Sequence, residues 1–375
     1  MGWGIERVLP LAIPGTAGTE ALVISSASLV VVVASALFLY RQHRVFGWLG
    51  GWPGLITLAT VATGWLVALA ALWPLPTGQL CTGGGSAAQP QPGATLTPLT
   101  TDALLRAGIT AAVFLPVGAL AWYRYRQGLL RTVGLAVAVA GAVELVQLTG
   151  VFGAYPCAYR VAATDDVLAG GLGALIGWLA ARPLTTRVLR RGWPAGMPDL
   201  MRPSGLRRQL ALLLDLALWW LTAAVITGAL VRAGAVHPLA GPTAFDLVLV
   251  GLAVLMAGVV PLLSPLRQTL GRMVFALGLG MATGTGPASR WRVLLRSVLV
   301  HGPVVTLFVL GLPWWALLVV AVHGAPAVAR RDQRGLADLL CGTRVVTSTI
   351  LRGGLPPRMT RYHAPRVPHT VEATP

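Results

Sequence analysis

Eight stretches of this chain are both too apolar for water and about long enough to cross a bilayer, and they constrain every other choice. They lie at roughly 21–40, 54–73, 105–123, 132–150, 166–181, 209–231, 246–263 and 297–325. A bilayer crossing needs roughly 20 mostly apolar residues as a helix. Lipid offers no partners to the backbone, so a spanning segment must satisfy its own N–H and C=O groups. The composition agrees: 375 residues are 55% hydrophobic and 11% charged, against about 25% charged in soluble domains. With a mean hydropathy of +0.72, a soluble globular protein is excluded. The expected fold is all-α, a polytopic integral membrane helical bundle whose first partner is the lipid bilayer.

The net charge of +17 comes from 29 basic residues, all Arg, against 12 acids. A nucleic-acid binder can show such a balance, but not this hydropathy, so no nucleic-acid partner is expected. The Arg positions mark topology instead. Arg41 and Arg44, then Arg124, Arg126 and Arg131, then seven from Arg182 to Arg208, then Arg267, Arg272, Arg290, Arg292 and Arg296 fill alternate loops. The intervening loops hold Arg106, Arg160 and Arg232. Cationic loops stay in the cytoplasm, which predicts an inner (plasma) membrane protein with its N-terminus outside and its C-terminal tail cytoplasmic. Ala34-Ser35-Ala36 resembles a signal-peptide cleavage site. No cationic region precedes it, however, and the run ends at Arg41-Gln42-His43-Arg44 like a retained anchor.

The stretch 297–325 is flanked by Arg on both sides, which a single crossing would separate. A break at Gly311-Leu312-Pro313 into two short helices that enter and leave on the cytoplasmic face keeps both clusters inside, although it places Trp314-Trp315 near the bilayer centre; a full crossing stays open as the alternative. The composition shift at 182–208, with seven Arg and four Pro, separates a five-helix unit at 20–182 from a smaller helical unit at 202–347. Residues 183–201 read as a basic, Pro-rich cytoplasmic linker and 348–375 as a disordered basic tail. A Gly-, Pro- and Thr-rich piece at 76–101 reads as a flexible outer loop. Of the three cysteines, Cys81 and Cys157 fall on outer loops and Cys341 on the cytoplasmic side, so a Cys81–Cys157 disulfide is expected.

Acids inside apolar segments cost about 2.5–3.5 kcal/mol at a helix centre on insertion scales. Glu144 and Asp215 stand out on this count. Gln147, three residues after Glu144, shares its helix face. Arg160 and the pair Asp165-Asp166 follow, the acids opening a helix whose dipole favours them. Glu144, Gln147, Arg160, Asp165 and Asp166 are therefore a candidate polar cluster at the outer leaflet, either a network pinning two helices or a ligand or catalytic site. The small-residue run Gly170, Gly171, Gly173, Gly177 permits close helix approach.

Phe114-Leu115-Pro116-Val117-Gly118, Glu144-Leu145-Val146-Gln147, Arg160 and Asp165-Asp166-Val167-Leu168-Ala169-Gly170-Gly171 through Gly177 resemble the VanZ-like family over roughly 20–182. In that family an Asn usually stands at the place of Gly170, and another just before the Phe-x-Pro-x-Gly where this chain has Ala. The resemblance implies a bacterial envelope protein linked to tolerance of teicoplanin-type glycopeptides, with Glu144, Gln147, Arg160 and Asp166 carried over and Asp165 less firmly.

In the second unit Arg208 and Asp215 stand seven residues apart, two helical turns or about 10 Å along one stripe. With Gln268-Thr269-Leu270-Gly271-Arg272, Arg292, Arg296 and Arg334-Gly335-Leu336-Ala337-Asp338 through Val346, they resemble the RDD family over about 202–347. The residues this marks are Arg208, Asp215, Asp338, Thr269, Gly271, Arg296 and Arg334. They form either a clasp between the first helix and the closing motif or a transport site in which Arg208 neutralises Asp215.

His43, His237, His301 and His323 lack metal-ligand spacing, and no spacing implies a metal or cofactor. Three functions stay open. One is an envelope protein modulating glycopeptide tolerance or access to lipid or cell-wall precursors at the outer face. The second is a transporter of an ion or small solute through the RDD unit. The third is an enzyme acting on a lipid or polyprenyl substrate, with Glu144 or Asp166 as acid or base. The oligomeric state is open.

Overall fold

The computed structural model describes residues 16–47, 49, 51–72, 88–95, 97, 99–155, 158, 160–187, 199, 203–283, 286–330 and 332–353. Cys81 and Cys157, and with them the expected disulfide, lie outside the described residues, as do 354–375.

The apolar stretches form helices. They are α1 (Thr16–Phe46), α2 (Gly51–Leu72), α3 (Thr101–Tyr123), α4 (Leu129–Leu148), α5 (Thr164–Arg187), α6 (Gly205–Arg232) and α7 (Gly241–Ala253). A π-turn, Val254–Val259, extends α7 into Val260–Leu263. Next come the short α8 (Leu270–Val274), then α9 (Arg290–Val309), α10 (Pro313–Ala329) and the short α11 (Leu336–Cys341). Among the described residues eight helical stretches are long and apolar enough to cross a membrane, and α10 is a shorter apolar helix. The chain is thus a polytopic, all-α membrane bundle with two small sheets added.

The described chain forms two compact units that do not follow chain order. One holds the residues up to Ser35, Gly50–Trp193 and Leu216–Ala253; the other holds Ala36–Leu49, Pro194–Asp215 and Val254 onward. The helices α1 and α6 and the long α7 stretch each contribute residues to both units.

In the first unit α3 and α5 lie unusually close. A Cβ on Gly118 would sit 1.9 Å from the Ala174 carbonyl oxygen, one on Gly173 2.0 Å from that of Ala111, and one on Gly177 2.0 Å from that of Leu115. Only glycine allows backbones this near. Phe114, Val113, Ala136, Ala140 and Ala174 form the core beside them. A Cβ on Gly170 would meet Ala140 at 3.0 Å and the Phe114 ring at 3.2 Å. The space that the family's Asn would need is filled here by Phe114. After α4, Gly150, Val151, Phe152 and Gly153 take four successive positive φ values of 57°, 56°, 56° and 82°, a left-handed turn that costs roughly 1–2 kcal/mol per non-glycine residue.

The loop expected to be flexible is anchored where it is described. β1 (Ala88–Gln89) pairs in parallel with β2 (Ala162–Ala163), Ala88 opposite Ala162 and Gln89 opposite Ala163. Thr164 adds a hydrogen bond of 2.9 Å to the Pro90 carbonyl.

In the second unit β3 (Leu277–Met281) and β4 (Thr343–Thr347) pair antiparallel, Leu279 opposite Val345. Leu277, Leu279, Val293, Val345 and Ala211 pack as its core. The chain stays helical over Ser348–Leu351, inside the segment read as a tail. Asp199, within the segment read as a linker, is buried, ion-paired to Arg207 at 2.6 Å, and accepts the Thr347 hydroxyl at its carbonyl. Burial holds the Asp199 carboxyl above its ordinary value against the pull of Arg207.

The 297–325 stretch breaks at Leu310–Leu312, Gly311 turning the chain with φ 71°. Its two helices pack against each other and run for 20 and 17 residues, about 30 and 25 Å. The first reaches span length, and the second is a shorter apolar helix.

Candidate functional site

The residues marked in the first unit divide their tasks. Gln147, fully buried, donates from Nε2 to the carbonyls of Ala70 and Ala71 at 3.2 and 3.4 Å. It thereby satisfies the end of α2, where the last carbonyls of a helix have no partner of their own. Asp165 spends both oxygens on the loop that carries β1, accepting from Gly93 N at 2.6 Å and from Thr95 N and Oγ1 at 2.9 and 2.5 Å. Glu144 accepts the Ala163 N–H at 3.0 Å.

Asp166 is left differently placed. Thr110 donates to its Oδ1 at 3.3 Å, while Arg160 stands 3.9 Å from Oδ2, too far for a hydrogen bond. That buried oxygen has no hydrogen-bond partner among the described residues. Asp166 lines a cavity of about 300 Å³ with Asp102, Thr95 and Arg106. The charges of Asp166, Arg160 and Arg106 all act on Glu144. The structure therefore gathers Glu144, Arg160 and Asp166, adds Arg106 and Thr110, and assigns Asp165 and Gln147 to holding the frame. Arg106, counted in the sequence among the loop arginines, lies on α3 four residues before Thr110 and so on the same helix face.

In the second unit Asp215 is buried and both its oxygens are taken, by Thr269 Oγ1 at 2.6 Å and Gly271 N at 2.7 Å. Thr269 caps α8, and Gly271 passes so near α6 that a Cβ would lie 2.0 Å from the Ala211 carbonyl oxygen. Arg208 does not pair with Asp215, although the transport reading makes it the neutralising partner of that acid. Its guanidinium reaches the carbonyls of Gln333 and Val345, because the closing motif supplies acceptors in its path. Asp338 accepts from Arg296 Nε at 2.8 Å and Thr343 Oγ1 at 3.1 Å. Arg334 lies apart, paired with Asp332 at 2.8 Å. The side chains of Arg330 and Arg334 hold the exposed Asp332 carboxyl well below the usual range.

Arg208, Asp215, Arg296 and Asp338 nevertheless converge on one cavity of about 190 Å³, with Arg272, Gln209, His301 and His323. Arg272 belongs to the Thr-Leu-Gly-Arg element, yet the site residues drawn from it stopped at Gly271. The buried His301 meets Ser297 at 3.1 Å, and the Ser297 hydroxyl donates to the Ala257 carbonyl in the π-turn. Among the described residues no three His, Cys, Asp or Glu come together to hold a metal.

Span-length apolar helices define the class: a multi-pass α-helical membrane protein, embedded in a lipid bilayer. Residues 82–187 match the model of the VanZ/LLP1 family, and residues 202–342 match that of the RDD family. The chain is an N-terminal VanZ-like unit fused to a C-terminal RDD domain, a membrane envelope protein. No curated protein and no solved structure gives a match.

Proposed function

We propose that this envelope protein holds the polar head of an amphiphile, a lipid or cell-wall precursor, beside Asp166 at the outer face, and so modulates glycopeptide access to that precursor. The observation that carries this is the unsatisfied Oδ2 of Asp166, buried at the edge of a cavity. Arg160 faces it as an ion pair at 3.9 Å without a hydrogen bond, and an unmade bond to a buried charged group costs about 1–3 kcal/mol or more. Arg106 and Arg160 suit a phosphate or carboxylate, while Asp166 and Glu144 suit hydroxyl or amine donors. The expected outcome in a susceptible host is that the wild type lowers fluorescent-glycopeptide surface labelling and raises the inhibitory concentration. Asp166→Asn and Glu144→Gln should abolish both at matched membrane abundance, and Asp215→Asn should spare them. Unchanged labelling by the wild type refutes the reading.

A second reading, movement of an ion or small solute through the RDD domain, is favoured by the charged cavity there. It predicts gradient-driven flux in proteoliposomes that Asp215→Asn removes. Proteoliposomes with no flux above empty vesicles would exclude it.

A further inference from the structure

The cavity of the RDD domain carries an excess of guanidinium over carboxylate groups. Three guanidinium groups, Arg208, Arg272 and Arg296, face it against two carboxylates, Asp215 and Asp338. Both acids are already engaged: Asp215 by Thr269 and Gly271, and Asp338 by Arg296 and Thr343. Among the described residues the Arg272 side chain makes no hydrogen bond and no ion pair, although Arg208 and Arg296 act on it as like charges and Asp215 and Asp338 as opposite ones. Burial and the neighbouring Arg296 push this guanidinium down from its ordinary value. A guanidinium that makes no hydrogen bond of its own, beside two more and facing a cavity, has donors to offer an anion.

Two atoms at the same cavity are buried with no hydrogen-bond partner among the described residues: Nε of Arg208, a donor, and Oε1 of Gln209, an acceptor. A monatomic anion satisfies only the donors. A protonated oxyanion accepts from the guanidinium groups and offers its own O–H to Gln209.

We propose that this cavity is a phosphate-binding site, with Arg272 as the principal ligand, Arg208 and Arg296 flanking it, and Gln209 accepting from the phosphate O–H. The phosphate group comes either as the free ion or as a lipid headgroup. Binding requires no flux, so the proposal stands apart from both readings above.

The test uses purified full-length protein in nanodiscs of phosphatidylcholine, titrated with sodium phosphate, sulfate and chloride at one ionic strength, with binding read by calorimetry and thermal shift. Phosphate is expected to bind and raise Tm, and sulfate, fully ionised and with no O–H to offer, to bind at least about tenfold more weakly. Arg272→Gln should lose phosphate binding by at least about tenfold. Gln209→Leu should keep binding yet lose the preference for phosphate over sulfate. If Arg272→Gln does not fold, the wild-type anion series and Gln209→Leu still decide the matter. A second set of nanodiscs adds phosphatidic acid. Stabilisation by that lipid alone, lost in Arg272→Gln or its fallback Arg272→Lys, identifies the source as a headgroup. No stabilisation by either source, or equal stabilisation by chloride, overturns the proposal.

Discussion

Asp338 shows how one side chain can hold three elements together. It sits at the start of α11, accepts from Arg296 on α9, and accepts from Thr343 on β4. Burial raises its carboxyl, but Arg296 beside it, with Arg272 and Arg208 near, outweighs burial and holds it below the ordinary value of 3.8. A carboxylate depressed in the folded state contributes stability that is complete above its unfolded pKa and is lost as pH falls through the folded one. The contribution is therefore constant from neutral pH down to about 4 and disappears below that. Thermal unfolding in detergent should show Asp338→Asn less stable at pH 7 by about 3 kcal/mol, since Arg296 is left buried without its charge partner. The gap between variant and wild type should narrow as pH drops below about 3.8. A gap that stays constant into acid would mean the carboxylate charge is not what holds the clasp. Arg208, Asp215 and Asp338 stand out in the sequence because charge is scarce here. The partners of Arg208 do not: Gln333 and Val345 offer backbone carbonyls, which any residue type supplies. Asp199 is hidden for the opposite reason, since it lies in a Pro-rich stretch whose composition resembles a linker.

Among the elements, the helices are legible because lipid imposes both their length and their composition. The break at Gly311 is legible because Pro313 follows it. β3 and β4 were not: Leu277–Met281 is two-fifths glycine, and its partner lies more than sixty residues on, so neither propensity nor a turn signal marks the pair. The left-handed turn at 150–153 was equally hidden, because Val151 and Phe152 argue against positive φ. The small-residue face of α5 was readable in the spacing of its glycines, and the structure shows which of them matter. A Cβ on Gly173 collides with the Ala111 carbonyl oxygen at 2.0 Å, whereas one on Gly134, in α4, meets nothing within 4 Å. Gly173→Val should therefore lower stability by about 1–3 kcal/mol or more, as overpacking does, and Gly134→Val should be close to neutral. Fluorescence-detected size exclusion after a heating series separates the two variants. Equal melting of both would mean that α3 and α5 do not approach as closely as Gly118, Gly173 and Gly177 allow.

For the molecule as a whole, the hairpin of α9 and α10 decides how the chain threads the membrane. Eight crossings would carry Arg330, Arg331 and Arg334 outside, against the side that cationic loops prefer. With α9 and α10 each crossing, the count becomes nine, the termini fall on opposite sides, and every Arg-rich loop shares one face. The same threading relocates Trp314 and Trp315. A shallow re-entry buries them at mid-bilayer, whereas a full hairpin puts them at the outer interface, where tryptophan is enriched. Their exposures of 80% and 58% suit a ring pair facing headgroups. The turn itself, with Leu310 64% exposed, should then touch the outer aqueous phase. With Cys81, Cys157 and Cys341 changed to Ser, Leu310→Cys should react with a membrane-impermeant maleimide on intact cells, and Leu351→Cys only after lysis. Labelling of Leu310→Cys that also waits for lysis would return the hairpin to a re-entrant form, with both helices tilted or sheltered within the cytoplasmic half of the bilayer. The two helices would then be longer than the depth they occupy, a mismatch that tilt alone must absorb.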